Sequence, residues 1–545
     1  MTWSAHQDTF ARDNLPPTDS QPEFLFELPE LHYPEHLNCA SILLDQMVAS
    51  GHGSSIAFRT LGIVWTYQDL LERANQIARV LTEDFNLISG NRVLLHSFNN
   101  PMMVASWFGI VKAGGIVVAT MPLLRAKELT DVLHKAEVSH ALVDSRLMIE
   151  LEQARLNCPS LKHVCEFGTE SGDALEARGF LKPKTFENVD THRDDVVLIA
   201  FTSGTTGKPK GCLHFHRDVL AICDTFAKHI LDARPSDVFI GSPPLAFTFG
   251  LGGIVLFPMR IGASSVLLEK ASPDMLIAAI EAFQASVVFT APTSYRVMAG
   301  LAGERDLSSL RKCVSAGEAL PAATRILWRE TTGIELIDGI GATEMLHIFI
   351  SASENNARAG ATGKPVPGFQ ACVLDPEGKP LATGQIGRLA VKGPTGCRYL
   401  NDDRQHDYVQ NGWNLTGDAY LIDPEGYFIY QARTDDMIVS SGYNIAGPEV
   451  EAALLQHKGI LECAVVGVPD NERGQIVKAY IVLRQGLEAT DALAKELQDF
   501  VKQRIAPYKY PRAIEFRDAL PKTQSGKLQR FRLRQEASQS SQGQS

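Results

Sequence analysis

Short apolar runs alternate with helix-like stretches from about residue 60 to residue 340, and this alternation constrains the fold more than any other feature of the chain. Strand patterns fall at residues 92–97, 115–120, 139–144, 196–201, 238–242, 264–269, 285–290, 312–315 and 334–338. Helix patterns such as Pro101–Lys112 and Ala126–Lys135 lie between them. Strands that alternate with helices form βαβ units, so the sequence predicts mainly parallel sheets covered on both faces.

The pattern changes after about residue 360, where Pro-Glu-Gly turns at 376–378 and 424–426 separate short alternating runs typical of antiparallel strands. An α+β pattern follows, and the end of the chain is polar and low in complexity. The predicted fold class is α/β: a large N-terminal domain of mainly parallel α/β subdomains plus a β-rich subdomain, with a small mobile α+β C-terminal domain. The predicted boundaries are 1–432 for the N-terminal domain, 433–436 for a hinge, 437–534 for the C-terminal domain and 535–545 for a disordered tail.

Charge and cysteine content narrow the classes of function and location. Lys and Arg total 52 against 63 Asp and Glu, and the net charge of −11 argues against general binding of nucleic acids or anionic membranes. The nine cysteines are scattered and never spaced as CxxC, which favours a reducing compartment. No signal peptide is predicted, and Lys112 interrupts the longest apolar stretch. We expect a cytoplasmic monomer or homodimer without nucleic-acid or membrane partners.

A loop rich in glycine and hydroxyl side chains follows the strand pattern at 196–201. It spans Phe201–Gly211 and reads FTSGTTGKPKG. Glycines allow successive backbone N–H groups to converge on phosphate oxygens, hydroxyls add donors, and Lys208 or Lys210 adds positive charge. The loop fits neither the GxxxxGK[ST] pattern nor GxGxxG. The sequence therefore predicts a phosphate-binding loop of another kind.

Further motifs follow this loop in order. They are Ser315–Pro321 (SAGEALP), Gly339–Glu344 (GIGATE), Asn414–Asp418 (NLTGD), Arg433–Asp436 (RTDD), Ser440–Asn444 (SSGYN) and Pro521–Lys527 (PKTQSGK). Together they resemble the signature motifs of the adenylate-forming superfamily of acyl- and aryl-CoA ligases, luciferases and peptide-synthetase adenylation domains. The resemblance covers about residues 40–530 and implies activation of a carboxylate by ATP and Mg²⁺.

The resemblance assigns the ATP site residue by residue. The implied ATP- and AMP-binding residues are Thr202, Ser203, Gly204, Thr205, Thr206, Gly207, Lys208, Gly317, Glu318, Ala319, Gly339, Ile340, Gly341, Thr343, Asp418 and Arg433. The loop would hold the β- and γ-phosphates, and Thr343 would contact the α-phosphate. Glu344 would ligate Mg²⁺, and Asp418 would accept hydrogen bonds from the ribose hydroxyls. Thr343 and Glu344 are therefore predicted catalytic residues.

The C-terminal motifs imply a second catalytic state. Lys527, the third predicted catalytic residue, would stabilise charge at the α-phosphorus during adenylation. Asp435 matches the family's hinge, about which the small domain would rotate. The rotation would withdraw Lys527 and place Ser441, Gly442 and Tyr443 along a tunnel for the pantetheine arm of CoA.

The acyl pocket is expected beside residues 242–253. Its predicted residues are Phe247, Thr248, Phe249, Gly250, Ala316, Ile340, Gly341 and His347. No Asp or Glu lies between Ser242 and Arg260, which disfavours an α-amino acid, and flat aromatic side chains favour a ring. The segment Gly341–Ser351 is very similar to benzoate-CoA ligases, in which His at the position of His347 lies in the aryl pocket.

Two local features favour an ortho-substituted ring. The opening segment Asp8–Pro17 resembles the start of 2-aminobenzoate-CoA ligases. Ala246 and Thr248 are smaller than the aromatic residues of benzoate ligases, which suggests room for an ortho group, with His347 as its polar partner.

The leading hypothesis is an AMP-forming aryl-CoA ligase, an acid–thiol ligase that converts 2-aminobenzoate, ATP and CoA into 2-aminobenzoyl-CoA, AMP and diphosphate. Benzoate or another substituted benzoate is the alternative substrate. An enzyme that passes the acyl group to a carrier protein, a luciferase-like oxygenase and a catalytically silent binding protein remain open as other classes.

Overall fold

The structure, a computed structural model, describes residues 3–203, 209–440, 443–470, 473–522 and 528–542. The strands there are β1 Ile56–Arg59, β2 Val64–Thr66, β3 Arg92–His96, β4 Ile116–Thr120, β5 His140–Asp144, β6 His163–Phe167, β7 Val196–Ser203, β8 Pro209–Phe215, β9 Val238–Gly241, β10 Ser264–Val266, β11 Val287–Thr290, β12 Lys312–Ser315, β13 Leu336–Gly341, β14 Ile348–Ser351, β15 Lys364–Pro365, β16 Gln370–Leu374, β17 Gly387–Lys392, β18 Val409–Gln410, β19 Trp413–Ile422, β20 Phe428–Arg433, β21 Met437–Ser440, β22 Tyr443–Ala446, β23 Ile460–Asp470, β24 Gly474–Leu483 and β25 Ala513–Phe516.

The α-helices of the same residues are α1 Phe10–Asp13, α2 Tyr67–Arg79, α3 Pro101–Lys112, α4 Ala126–Lys135, α5 Met148–Arg155, α6 Leu175–Phe180, α7 His216–Ile222, α8 Thr248–Gly250, α9 Phe257–Ile261, α10 Pro273–Phe283, α11 Pro292–Ala299, α12 Ala322–Thr332, α13 Gln405–Tyr408, α14 Gly447–Leu454, α15 Asp491–Lys502 and α16 Arg530–Gln542. Turns of π-helix extend several of them, including Leu251–Leu256 between α8 and α9. The start of helix α3 is determined by neighbouring residues: the side chain of Asn100 accepts the N–H of Met103, and Pro101 occupies the first turn.

Two large sheets carry the N-terminal part of the chain. One has six strands in the order β6-β5-β3-β4-β7-β8, parallel except for the β7–β8 pair. The other has nine strands in the order β15-β14-β13-β12-β11-β9-β10-β1-β2, with a parallel centre from β13 to β1. Strands such as β3, β4 and β5 are buried along their whole length, as expected of parallel strands covered on both faces. The predicted α/β fold class is confirmed.

The nine-stranded sheet reverses its winding direction beside β9. The chain passes from β9 to its neighbour β10 on one side and then returns to β11 on the other side. The carboxyl ends of two strands with diverging connections frame a crevice where open α/β sheets bind ligands. The fold therefore places a candidate site where β9 and β11 end.

The later strands are mainly antiparallel, as the turn pattern predicts. A five-stranded sheet has the order β16-β17-β19-β18, with β20 also pairing with β19. The hairpin β21–β22 and a three-stranded sheet in the order β23-β24-β25 follow, and helices α14 and α15 pack on them. The small α+β C-terminal part of the predicted fold is confirmed.

Internal contacts divide the chain into two units, residues 1–371 with 391–414 and residues 372–390 with 415–545. The predicted boundary at 432 and the hinge at 433–436 stay predictions. Helix α16 covers most of the segment expected to be a disordered tail, because Leu533 and Ala537 are buried in an apolar cluster with β23 and β24.

No helix in the described ranges is long and apolar enough to cross a membrane. All nine cysteines are free thiols.

Candidate active site

The predicted phosphate loop leaves the six-stranded sheet at the end of β7. Thr202 is half-buried there and pairs with Lys210 of β8 across the strand pair that flanks the loop. Ser203 is the last residue of β7. Gly204, Thr205, Thr206, Gly207 and Lys208 lie outside the described residues, so their predicted role stays a prediction.

The GIGATE motif forms the end of β13 and the turn that leads into β14. Gly339, Ile340 and Gly341 belong to β13, and the antiparallel partner β14 lies directly alongside. Thr343 and Glu344 form a short 3₁₀ turn, and His347 precedes β14. One hairpin therefore carries predicted residues of both the ATP site and the acyl pocket.

The turn at Glu344 is fixed by three hydrogen bonds. His214 Nε2 donates to the carbonyl of Thr343 at 2.9 Å, and Thr395 Oγ1 donates to the carbonyl of Met345 at 2.8 Å. The hydroxyl of Tyr399 donates to Glu344 Oε1 at 2.5 Å. Among the described residues, the other carboxylate oxygen of Glu344 has no hydrogen-bond donor.

The aligned ends of β11, β12 and β13 bring a second group of predicted residues beside this hairpin. Ser315 lies opposite Thr290 on one side and Asp338 on the other. Ala316 is buried after β12, and Gly317 with a φ of +90° turns the chain into Glu318 and Ala319. Two segments predicted to bind ATP, 317–319 after β12 and 339–341 at the end of β13, thus lie at the same sheet edge.

Polar side chains line this edge at the point where the sheet winding reverses. Ser242, just after β9, and Thr290, at the end of β11, share a hydrogen bond of 2.6 Å between their hydroxyls. The hydroxyl of Ser315 is buried without a partner among the described residues. Burial raises the pKa of Asp338 to about 7, although Arg325 and the backbone N–H of Gly339 oppose the shift. The crevice therefore offers three hydroxyl groups and a carboxyl group that holds its proton to higher pH than an exposed one.

An aromatic cage surrounds His347 in this part of the site. The rings within 6.3 Å of its centroid belong to Phe226, Phe249, Phe257 and Phe289. Burial lowers the pKa of His347 to about 3, although the backbone of Phe249 opposes the shift, so the ring is neutral at physiological pH. Neither ring nitrogen has a hydrogen-bond partner of normal geometry in the described part of the chain.

The other predicted acyl-pocket residues lie on one segment after β9. Phe247, Thr248 and Phe249 are partly exposed, and Phe249 packs edge-on against Phe289 at 5.6 Å. A Cβ on Gly250 would lie 2.2 Å from the carbonyl oxygen of Pro244, so only glycine permits this turn. Phe249 is the partly exposed member of the cage around His347.

In the second unit, the predicted ribose-binding residues face each other across a strand pair. Asp418 of β19 lies directly opposite Arg433 of β20, and Arg433 Nη1 donates to Asp418 Oδ1 at 3.1 Å and to the carbonyl of Thr416 at 2.9 Å. Asp418 is buried, and Gly417 leaves room for the guanidinium because a Cβ there would lie 2.6 Å from Arg433 Nη2. The carboxylate is thereby held in one orientation.

The predicted residues of the second catalytic state are only partly described. Asp435 lies in a 3₁₀ turn, Thr434–Asp436, and Tyr443 begins β22. Ser441, Gly442 and Lys527 lie outside the described residues. Their roles stay predictions.

Sequence reasoning missed several residues that shape the site. The cage residues Phe226, Phe257 and Phe289 read as ordinary core, and Tyr399 and His214 belong to no recognised motif. Ser242 and Thr290 could have been found, because each ends a predicted strand at the ligand-binding edge of a parallel sheet.

Comparisons with known proteins give the family of the chain. Residues 45–399 match the AMP-binding enzyme family and residues 449–527 match the AMP-binding enzyme C-terminal domain. The chain is 35% identical to the benzoate–CoA ligase of Thauera aromatica over 93% of this chain and 97% of that protein. It resembles the crystal structure of the anthranilate CoA ligase AuaEII in complex with anthranoyl-AMP, with a TM-score of 0.89, 35% identity, and coverage of 94% of this chain and 100% of that one.

A third relative is a benzoate CoA ligase from Burkholderia xenovorans LB400, whose structure gives a TM-score of 0.82 at 31% identity and covers 91% of this chain and 100% of that one. The chain therefore belongs to the AMP-binding enzyme family, within its acyl- and aryl-CoA ligases, which are acid–thiol ligases.

Proposed function

We propose that this ligase activates 2-aminobenzoate and transfers it to CoA, releasing AMP and diphosphate. The observation that carries the proposal is the neutral, buried His347 inside its cage of phenylalanine rings. The flat apolar walls suit a benzene ring. The ring nitrogens of His347 make no hydrogen bond of normal geometry among the described residues, so a polar group of the ligand can pair with one of them.

The protonation of His347 favours an ortho amine over hydrogen at that position. A neutral imidazole has one N–H donor and one nitrogen acceptor. The carboxylate of 2-aminobenzoate accepts hydrogen bonds and its amine donates them, so this acid can satisfy either nitrogen. Benzoate offers no donor and leaves the acceptor nitrogen as it is without ligand, so it lacks a hydrogen bond that contributes about 0.5–1.5 kcal/mol. Phe249, the partly exposed ring over His347, must move aside for such contact.

The reaction follows two transfers. A carboxylate oxygen of the acid attacks the α-phosphorus of ATP, and diphosphate leaves. The thiol of CoA, after loss of its proton, then attacks the acyl carbon, and AMP leaves with the bonding electron pair. Thr202, the loop 203–208, Thr343 and Lys527 are the residues that we propose for stabilising phosphate charge in the first transfer.

Mg²⁺ is the metal that this site would hold. Mg²⁺ prefers oxygen ligands and is usually bound by one or two carboxylates together with substrate phosphates. The donor set fits, because Glu344 Oε1 is oriented by Tyr399 while its second oxygen has no donor among the described residues. Within those residues no group of three or more His, Cys, Asp or Glu side chains could bind a metal by itself. When bound, the ion would neutralise charge on the phosphates.

Asp418 and Arg433 are our proposed ribose contacts. The carboxylate is buried and held by Arg433, so it can accept two hydrogen bonds without losing side-chain entropy on binding. The adenine is expected beside residues 317–319 and Ile340.

A comparison of three acids in the first half-reaction tests the proposal. ATP–diphosphate exchange is measured with 2-aminobenzoate, benzoate and 2-methylbenzoate, the last of which matches the amine in size and lacks its N–H groups. We expect kcat/KM to be at least tenfold higher for 2-aminobenzoate than for 2-methylbenzoate. The variant His347→Ala should reduce this ratio to near one, because the polar partner is lost.

Equal preference for 2-aminobenzoate and 2-methylbenzoate in the wild type would show that the pocket selects by size alone. A preference for benzoate, the acid named in the descriptions of the relatives from Thauera and Burkholderia, would leave the proposed enzyme class unchanged. It would show that benzoate and not 2-aminobenzoate is the substrate. Cytoplasmic location remains a prediction from the sequence.

A further inference from the structure

Tyr399 lies between the base of the phosphate loop and the proposed metal ligand. Its side chain is fully buried. Lys210 Nζ donates to the Tyr399 hydroxyl at 2.8 Å, and the same hydroxyl donates to Glu344 Oε1 at 2.5 Å. A hydroxyl has one proton and can accept as well as donate, so the direction of this chain is fixed by the ammonium at one end and the carboxylate at the other.

The backbone at Tyr399 is held as firmly as its side chain. The N–H of Leu213 donates to the carbonyl of Arg398, and the N–H of Leu400 donates to the carbonyl of Gly211, each at 2.8 Å. Residues 398–400 thus run as an extra strand along β8, the strand that carries Lys210. The N–H of Tyr399 donates to Gln405 Oε1 at 2.8 Å. Its hydroxyl position is therefore set by the fold.

We propose that Tyr399 is a positioning residue that presents Glu344 to the ATP–metal complex and keeps Lys210 from pairing with it. A direct pair between Lys210 and Glu344 would neutralise both groups and occupy the carboxylate. The intervening hydroxyl keeps the two charges apart and takes only one oxygen of Glu344, which leaves the other for a cation. The ring face of Tyr399 also lies 4.6 Å from Lys210 Nζ, which adds a cation–π contact.

This inference rests on the proposed role of Glu344 and deepens it. It concerns the residue that orients the carboxylate and does not depend on which aromatic acid is activated.

Tyr399→Phe removes the hydroxyl and keeps the ring, so the packing against Cys212, Cys397 and Tyr408 is preserved. Tyr408→Phe is the matched control, because it removes a hydroxyl from a tyrosine of the same cluster, whose ring centroid lies 5.8 Å from that of Tyr399. Circular dichroism and thermal melting establish that both variants fold as the wild type does.

The binding readout is isothermal titration of ATP in the absence of any acid, with excess Mg²⁺ and again with EDTA. We expect Tyr399→Phe to weaken ATP binding about 10- to 100-fold with Mg²⁺ and much less with EDTA, while Tyr408→Phe matches the wild type. Equal losses in Mg²⁺ and EDTA would indicate a general packing role and overturn the proposal, as would no loss in either condition.

A double-mutant cycle separates action through Glu344 from other effects. In a Glu344→Gln background, Tyr399→Phe should cause less than a threefold further loss of ATP binding with Mg²⁺. A full additional loss would show that Tyr399 does not act through Glu344. Absence of ATP–diphosphate exchange by the wild type with every aromatic acid would refute the proposed substrate class, whereas the titrations would still decide the role of Tyr399.

Discussion

Gly252 is glycine because His347 occupies the space where its side chain would be. A Cβ at Gly252 would lie 2.4 Å from His347 Cδ2, and one at Gly253 would lie 2.6 Å from Phe289 Cδ1. The glycine pair thus permits the close approach of a helix to the aromatic cage. The sequence shows the glycines but not the histidine ring they accommodate, since the two are nearly a hundred residues apart.

Gly339 and Gly341 are predicted site residues whose lack of a side chain is explained by packing. A Cβ at Gly339 would lie 2.8 Å from the side chain of Ile348, and one at Gly341 would lie 2.8 Å from the carbonyl oxygen of His347. Close packing within the β13–β14 hairpin therefore accounts for both glycines.

The raised pKa of Asp338 predicts how the stability of the protein depends on pH. Its carboxyl pKa is about 7 in the folded chain and near 4 in an unfolded one, so between these values only the folded state keeps the proton. Its contribution to stability is therefore present at low pH and is lost as the pH rises through about 7. We expect Asp338→Asn to gain about 2 kcal/mol relative to the wild type between pH 5.5 and pH 8.

Thermal melting of the wild type and Asp338→Asn at pH 5.5 and pH 8, without ligands, checks this. The difference in Tm should shift in favour of the variant by roughly 2 °C at the higher pH. A Tm difference that is the same at both pH values would mean that the Asp338 carboxyl titrates normally.

At the scale of elements, the strand-like segment 398–400 is fixed by a buried ion pair. Arg398 Nη1 donates to Asp218 Oδ2 at 2.8 Å, both side chains are fully buried, and the guanidinium lies 3.9 Å from the ring centre of Phe215. Although burial opposes its charge, the neighbouring Arg398 and His214 lower the pKa of Asp218 to about 2. The pair is thus ionised, and it lies next to the Tyr399 and Thr343 contacts.

Arg398→Met should destabilise the protein by about 3–5 kcal/mol, because Asp218 would remain as an unpaired buried charge. The control is Arg234→Met, which breaks an ion pair with Asp232 whose side chains are 58% and 62% exposed, and it should destabilise the protein much less. Thermal melting measures the loss of stability of each variant relative to the wild type. Equal, small losses would contradict the view that the buried pair fixes this segment, and addition of Asp218→Asn should recover part of the loss in Arg398→Met.

The sequence predicted the positions of helices and strands correctly where the spacing of apolar residues was regular. The bounds of α3 and α4 agree with the predictions. Asn100 caps α3, and Leu129, Val132 and Leu133 form a buried apolar face on α4. The antiparallel turn from β13 to β14 was not predicted, since an apolar run such as 348–351 has no periodicity that tells its direction. Helix α16 was not predicted because its stabilising contacts are tertiary.

At the scale of the whole molecule, the family motifs allowed the sequence to predict the ligase class. By resemblance the motifs imply contacts with ATP, so they predict the class of enzyme, while the roles of their individual residues stay predictions. The proposed aryl pocket involves side chains that meet only in the folded chain, such as Phe226, Phe257 and Phe289 around His347. That part of the site required the structure.

The rotation about Asp435 and the role of Lys527 stay predictions at this scale. They concern a change between two catalytic states, and neither motif spacing nor a single structure measures such a change.

CoA-dependent release of AMP, measured with ATP and Mg²⁺ for 2-aminobenzoate, benzoate, 2-hydroxybenzoate and a medium-chain fatty acid, tests the central claim most directly. The account predicts the highest kcat/KM for 2-aminobenzoate, because its amine can donate to the neutral His347 inside the phenylalanine cage. Activity confined to the fatty acid would contradict the assignment of an aryl pocket.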